Sequence, residues 1–207
     1  WRNIFVRQID AAEAKQILAA ADHKTSAIAE SLTLHASFDS SLDADFARGD
    51  RTCYVQDGKE LHHAAANADA GLVPDSVRFG GSLHFPKKSG YRPTFRDAGV
   101  LGYSDTHWNT TVSVWLRLNP DKDLEPGYCD PVQIVGDDGN KGFIFLEFSK
   151  DETPRYFRYA IRPLVHIWNP DGVTWAEIPF DKRPMVQVER PPFSREAWTH
   201  VVFTLEN

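Results

Sequence analysis

Glu147, Asp151 and Glu152 are the nearest this chain comes to a carboxylate pair that could act together on a bond. Acid–base cleavage of a glycosidic linkage needs two carboxyl groups ~5–10 Å apart, one to give a proton and one to attack or activate water. On a strand, residues two apart on one face stand ~6.6 Å from each other and residues four apart ~13 Å. Glu147 and Asp151 therefore have the wrong spacing, and the sequence beyond Phe148 reads as a turn. Glu147, inside Phe143-Ile-Phe-Leu-Glu-Phe148, is expected as an exposed-face charge. The next stretch, Arg155-Tyr-Phe-Arg-Tyr-Ala-Ile-Arg162 on to His166-Ile-Trp168, is dense in arginine and aromatic residues. Read as a strand, it sets Tyr156, Arg158, Ala160 and Arg162 on one face. Such a face could stack an apolar sugar surface on its rings and donate paired hydrogen bonds from its guanidinium groups. Cross-strand pairing with no ligand uses the same residues. Trp115 and Arg117 fall on the polar side of another strand and are expected on the same surface. Trp108 and Trp175 sit near turns, where aromatic residues serve recognition or cap a core.

Metal and nucleophile chemistry find little purchase. His62 and His63 are adjacent, so on a strand they would point to opposite faces; a solvated loop is expected there. Asp137 and Asp138, in Asp137-Asp-Gly-Asn140, are calcium-type ligands without the spacing of an EF-hand loop, and a hairpin turn is the plainer reading. No cofactor is expected, calcium being the one ion those loop carboxylates could take. Cys53 and Cys129 form no C-x-x-C motif, and their spacing leaves a bridge or two separate thiols open. There is no G-x-S-x-G elbow, and Gly80-Gly81 lacks the lysine and helix of a phosphate loop.

The elements that must position these residues are mostly strands. The 207 residues include 6 Trp, 6 Tyr and 13 Phe against one Met, a balance that suits pleated surfaces. Thr111-Val-Ser-Val-Trp-Leu-Arg-Leu118 is the cleanest alternation, with Val112, Val114, Leu116 and Leu118 facing one way. Ser31 to Phe38, Phe143 to Phe148, Arg155 to Trp168, Val186 to Val188 and Trp198 to Leu205 are further strands. Ser76–Phe79 and Ser82–Phe85 flank the Gly80-Gly81 pair as a hairpin or bulge. Turn signals at Asn119-Pro120-Asp121, Gly136–Gly139 and Asn169–Gly172 separate the strands. Residues 39–75 read as long and irregular. Ahead of all this, residues 3–9 look like a short strand. Asp10 and Glu13 form a capping box for a helix over 11–21, and 22–30 read as a linker. His200, alternating with Trp198 and Val202, is expected as a packed, hydrogen-bonded histidine.

Four landmarks in order carry a family resemblance. Leu34-x-x-x-Phe38-Asp39, Val77-Arg-Phe79-Gly-Gly81, Thr111-Val-Ser-Val-Trp115-Leu and Glu196-Ala-Trp198-Thr-His200-Val-Val-Phe203 resemble the strands of the laminin-G-like, concanavalin A-like lectin/glucanase domains. The resemblance covers about residues 31–207. The N-terminal Trp1-Arg-Asn-Ile-Phe-Val-Arg-Gln-Ile9 is similar to the closing strand of the 3-keto-disaccharide hydrolase family, which would make residues 1–21 the tail of an upstream domain. The first residue is not Met, and the closing hairpin of the resembling family does not follow Leu205. The chain is therefore expected to be a piece of a larger protein.

The resemblance implies an all-β, concanavalin-like antiparallel jelly-roll sandwich over 31–207, preceded by a short strand and helix. It implies a non-catalytic carbohydrate-binding or adhesive module of a larger secreted or surface-attached bacterial protein, with a polysaccharide or glycan as partner and other domains of the same parent chain alongside. The Glu-x-Asp-x-x-Glu or Glu-x-Asp-x-Glu signature of the laminarinase-type members is missing, so no catalytic residue is assigned. A glycan hydrolase or lyase of the same fold is the first alternative, supported if two carboxylates converge beside Trp115 or Arg158; a structural or protein-interaction domain is the second. A charge of −6 at neutral pH gives no basic surplus for nucleic acid. No stretch approaches the ~20 apolar residues of a membrane helix.

Overall fold

A computed structural model describes residues 29–57, 60–77, 80–104, 106–136, 144–162 and 165–206. The expected strand at 3–9, the helix at 11–21 and the linker as far as residue 28 lie outside them, as do Asp137 and Asp138. The described residues fall into two compact units, one within 29–102 and one within 103–206. Every strand pairing in both is antiparallel, and the described residues are mostly strand with few helices, consistent with an all-β class.

The first unit contains three two-stranded pairs. Strand β1 (Leu34–His35) pairs with β2 (Phe46–Ala47), β3 (Tyr54–Asp57) with β4 (Glu60–His63), and β5 (Gly71–Val77) with β6 (Gly80–His84). Leu42, Cys53 and Ala64 form its core, with Phe38, Val55, Leu72, Leu83, Tyr91 and Phe95 packed against them. The segment 39–75, expected to be irregular, carries β2, β3, β4 and the start of β5. His62 and His63 lie in β4 and not in a loop.

The strand expected over 31–38 shrinks to Leu34–His35. Phe38 adopts a left-handed φ of 61°, which turns the chain out of the strand direction. What holds it there is the next residue: the Asp39 carboxylate accepts a 2.7 Å hydrogen bond from the Gly81 amide. The two landmarks Phe38-Asp39 and Gly80-Gly81 thus meet in space. A side chain at position 81 would place its Cβ 2.8 Å from the Phe38 carbonyl oxygen, too close for any residue but glycine. β5 and β6 do pair as an antiparallel hairpin, but the glycine pair, expected to lie between the two strands, belongs to β6, where Gly80 pairs with Val77.

The second unit holds six strands. These are β7 (Thr110–Leu116), β8 (Cys129–Ile134), β9 (Ile144–Phe148), β10 (Phe157–Ile161), β11 (Met185–Val188) and β12 (Thr199–Leu205). Four of them make one sheet in the order β11-β10-β9-β8, and β7 pairs with β12 in a second. Ile144, Leu146 and Phe148 on β9 and Phe157, Tyr159 and Ile161 on β10 are buried on one face of the larger sheet. Phe148, Phe157 and Phe193 meet in a triangle of ring contacts at 4.8–5.0 Å. Tyr159 packs on Phe203 of β12 at 4.4 Å, so the two sheets share this core.

Among the described residues of the second unit, two short α-helices and a 3-10 turn at Phe180–Lys182 interrupt the strands. Asn119-Pro120-Asp121, expected as a turn, caps α1 (Pro120–Asp123): the Asn119 side chain accepts from the amides of Asp121 and Lys122. His166-Ile-Trp168, expected to prolong the arginine-rich strand, belongs to α2 (Val165–Trp168). Arg155 is 8% exposed and binds the α1–β8 connection to the start of β10. Its guanidinium donates to the carbonyls of Gly127 at 2.8 Å, Glu125 at 2.9 Å and Ser149 at 3.2 Å.

Candidate functional site

Alternation places a line of polar and aromatic side chains on the outer face of the β7–β12 pair. Val112 and Phe203 face inward, so Thr111, Ser113 and Trp115 on β7 face outward, opposite Thr204, Val202 and His200 on β12. Each opposing pair is in contact or within reach. The hydroxyls of Thr111 and Thr204 are 3.2 Å apart. Trp115 and His200 stack with ring centroids 4.3 Å apart and planes 9° from parallel. The His200 Nε2 atom is 2.8 Å from the Ser113 hydroxyl oxygen. One step beyond the ladder, the Arg117 guanidinium lies over the Trp198 ring at 4.9 Å. From Thr111 to Arg117 this face runs ~20 Å along the strand. Trp115 remains 48% exposed within it.

His200 is therefore hydrogen-bonded as expected but stands on the outer face, not in the core. Loss of water around its ring holds its pKa below the usual histidine range. A neutral imidazole, two threonine hydroxyls, a serine hydroxyl and a half-exposed indole form a surface that offers both apolar contact and hydrogen bonds.

Tyr156, Arg158 and Arg162 do not join Trp115 and Arg117 on one surface. Phe203 and Tyr159 meet between the sheets. Arg158 alternates with Tyr159 on β10 and so lies on the far side of the larger sheet, as Trp115 lies on the far side of the smaller. There Arg158 sits in a cross-strand row with Glu147 of β9 and Gln187 of β11. Its Nε donates to Gln187 at 2.8 Å, its Nη1 to Glu147 at 3.4 Å and its Nη2 to Glu152 at 3.0 Å. Tyr156 lies 5.9 Å from the guanidinium carbon. On β8 a register shift between Cys129 and Val132 brings Asp130 into the row, where Gln133 donates to it at 2.6 Å.

The expectation that Glu147 is an exposed-face charge is overturned. Its side chain is 14% exposed and that of Arg158 15%. Burial, reinforced by the Asp130 charge, pushes the Glu147 pKa up to about 7 against the opposing pull of Arg158. Burial also raises the Asp130 carboxyl. Glu152 is held below the usual carboxylate range, first by a hydrogen bond with the Ser149 side chain.

The other expected aromatics are committed elsewhere. Trp108 is 3% exposed and meets Tyr103 edge-on, which makes it a core residue and not a recognition aromatic. Trp175 has the guanidinium of Arg162 at 5.2 Å, that of Arg183 at 5.5 Å and Trp168 edge-on at 5.9 Å. His63 bonds Asp43 at 3.0 Å. Cys53 and Cys129 are not in disulfides, and burial raises the Cys53 thiol to about 11. Among the described residues no group of three or more His, Cys, Asp or Glu is placed to hold a metal ion. No described helix is long and apolar enough to cross a membrane.

Of the residues that build the outer face, Trp115 and Arg117 were legible as candidates from alternation. Thr111 and Ser113 share that face of β7 by the same alternation, whereas His200, Trp198 and Thr204 come from the long-range register of β7 with β12, which alternation does not supply. Asp130 reaches its row through a bulge, for which Pro131 is the only local signal. Protein-family models, characterised proteins and solved structures contain no match to this chain.

Proposed function

We propose that residues 31–207 form a non-catalytic glycan-binding module with a concanavalin-like, laminin-G-like sandwich fold, working within a larger secreted or surface-attached protein. The observation that carries this reading is the outer face of β7–β12: an exposed Trp115 stacked on His200, in line with three hydroxyl side chains and Arg117. Indole rings bury apolar surface against sugar rings, and hydroxyls and imidazole bond sugar hydroxyls that alternate with those apolar faces.

A glycan array probed with the chain tests this, with calcium and again with a chelator. Binding to a defined polysaccharide without release of shortened product is expected. Trp115→Ala should weaken that binding at least tenfold while the melting temperature stays within about 3 °C, since exposed positions contribute little to stability. Wild-type binding to no glycan, or binding that Trp115→Ala leaves intact, refutes the reading. Loss of binding on chelation would revive the loop carboxylates Asp137 and Asp138 as candidates for a calcium site.

A hydrolase or lyase of the same fold has one observation in its favour. Glu147 and Glu152 converge on Arg158, beside Asp130. The guanidinium, however, holds both carboxylates, and both Glu147 and Arg158 are largely shut off from solvent. Release of reducing ends from a bound polysaccharide would decide for this second reading.

A further inference from the structure

The row of Asp130, Glu147, Arg158 and Glu152 is unbalanced: three carboxyl groups face one guanidinium on the outer side of the four-stranded sheet. Arg158 reaches Glu147 and Glu152 directly, while Asp130 has a neutral partner, Gln133. The facing groups can be named element by element. Asp130 comes from β8, Arg158 from β10 and Glu152 from the turn after β9, and β11 contributes the uncharged Gln187. Asp130 lies where β8 departs from regular register with β9, and the following Pro131 has no amide to give the ladder. Within the described sheet, β8 is also an edge strand, held on one side only.

We propose that this row is a proton-operated latch: the folded sheet keeps one proton between Glu147 and Asp130, and losing it loosens the β8 edge. With the proton in place, Glu147 presents a neutral carboxyl to Asp130, and one guanidinium has one or two anions to balance. Without it, two anions stand side by side across the bulge, where the ladder is weakest. No bond other than O–H changes, and the proton leaves to solvent.

The sign follows from proton counting. The folded chain retains at Glu147 a proton that the unfolded chain releases near the ordinary glutamate value of 4.5. Stability contributed here is therefore full below that value, falls as pH rises toward about 7, and is level above it. His200 works in the opposite sense, since its lowered pKa removes stability as pH falls. A single profile would blend the two, and a difference between variants separates them.

The experiment compares melting temperature from acid to mildly alkaline pH for the wild type, Glu147→Gln and Asp130→Asn. Glutamine keeps the shape of a protonated carboxyl, so Glu147→Gln should match the wild type at low pH and exceed it above neutrality. Asp130→Asn should flatten the profile in the same direction. In the wild type the carboxyl carbon resonance of Glu147, assigned by its loss in Glu147→Gln, should titrate near neutrality. Amide exchange at Val132, Gln133 and Ile134, corrected for intrinsic rates, should quicken over the same range. Parallel profiles for wild type and Glu147→Gln, or a Glu147 resonance that titrates in the ordinary glutamate range, would overturn the latch. Should Glu147→Gln fail to fold, the pH dependence of wild-type amide exchange at Val132, Gln133 and Ile134 decides alone, and exchange that does not quicken between acid and neutral pH overturns the latch.

Discussion

Tyr159 shows how a single atom can work against its neighbours. The ring is 4% exposed and stacks on Phe203, which is where the two sheets of the second unit meet. Its hydroxyl is buried, and among the described residues nothing hydrogen-bonds it. Burial raises its pKa, so it stays a neutral phenol. A buried hydroxyl without a partner forfeits its hydration and gains nothing in return, a loss of ~1–3 kcal/mol. Tyr159→Phe keeps the ring contact and removes the orphaned group. Its expected outcome is a protein stabilised by about 1 kcal/mol in urea unfolding, with no change in slope. A loss of stability would show that the hydroxyl has a partner in the folded protein. Glu147 makes the complementary point: as the one charge in an otherwise apolar run it reads as an exposed-face residue. Phe145, two positions earlier on the same face of β9, is 5% exposed, so that face is covered, and the sequence of one strand does not tell a covered face from an open one.

Among elements, the connection between α1 and β8 depends on one buried side chain. Residues 124–128 form no strand, and their carbonyls would be unsatisfied if turned inward without a donor. Arg155 supplies that donor: its amide bonds the Asp121 carboxylate at 2.9 Å, and its guanidinium serves carbonyls of Glu125, Gly127 and Ser149. Arg155→Met preserves the length and apolar body of the side chain but no donor. It should lower stability by about 3 kcal/mol or more, because several carbonyls lose their partner at once. Arg155→Lys should recover only part, since one ammonium cannot span the same fork. Chemical denaturation of the three proteins reads the order directly; equal stability of Arg155→Met and wild type would refute this account. Strands β7 and β9 were legible because alternation in the one and a continuous apolar run in the other coincide with the pairing they make in the fold. The strand at 31–38 was not, since its alternation is genuine but the Asp39–Gly81 hydrogen bond and the left-handed Phe38 bend the chain first. Likewise, periodicity could not stop the arginine-rich strand at Ile161, where the chain leaves β10 and later enters α2.

At the scale of the molecule, charge selects among ligands. A net charge of −6 produces a field that repels sulfated and uronic polysaccharides over the Debye length. The outer face of β7–β12 supplies neutral hydroxyls, an uncharged imidazole and a single arginine already placed over Trp198. Neutral polysaccharide should therefore bind with an affinity that stays within about twofold between roughly 50 and 300 mM salt. Binding to an acidic polysaccharide that weakens steeply with salt would contradict this. The all-β class was readable from aromatic content and turn frequency. The partnership of the two strands that frame the candidate face was not, because nothing local to either strand names the other.

That partnership has a consequence in time. Ser113 and His200 are 87 residues apart in the chain, and Thr111 and Thr204 are 93 apart. The strands from β8 to β11 pair with sequence neighbours and can assemble early, whereas β7 must wait, unpaired, for β12. On a ribosome, β7 would be exposed as a bare edge while the intervening residues are made, open to pairing with the wrong strand. Thr111, Ser113 and Arg117, the polar residues that would meet a ligand on the finished face, also make one face of that waiting strand a poorer template for wrong pairing.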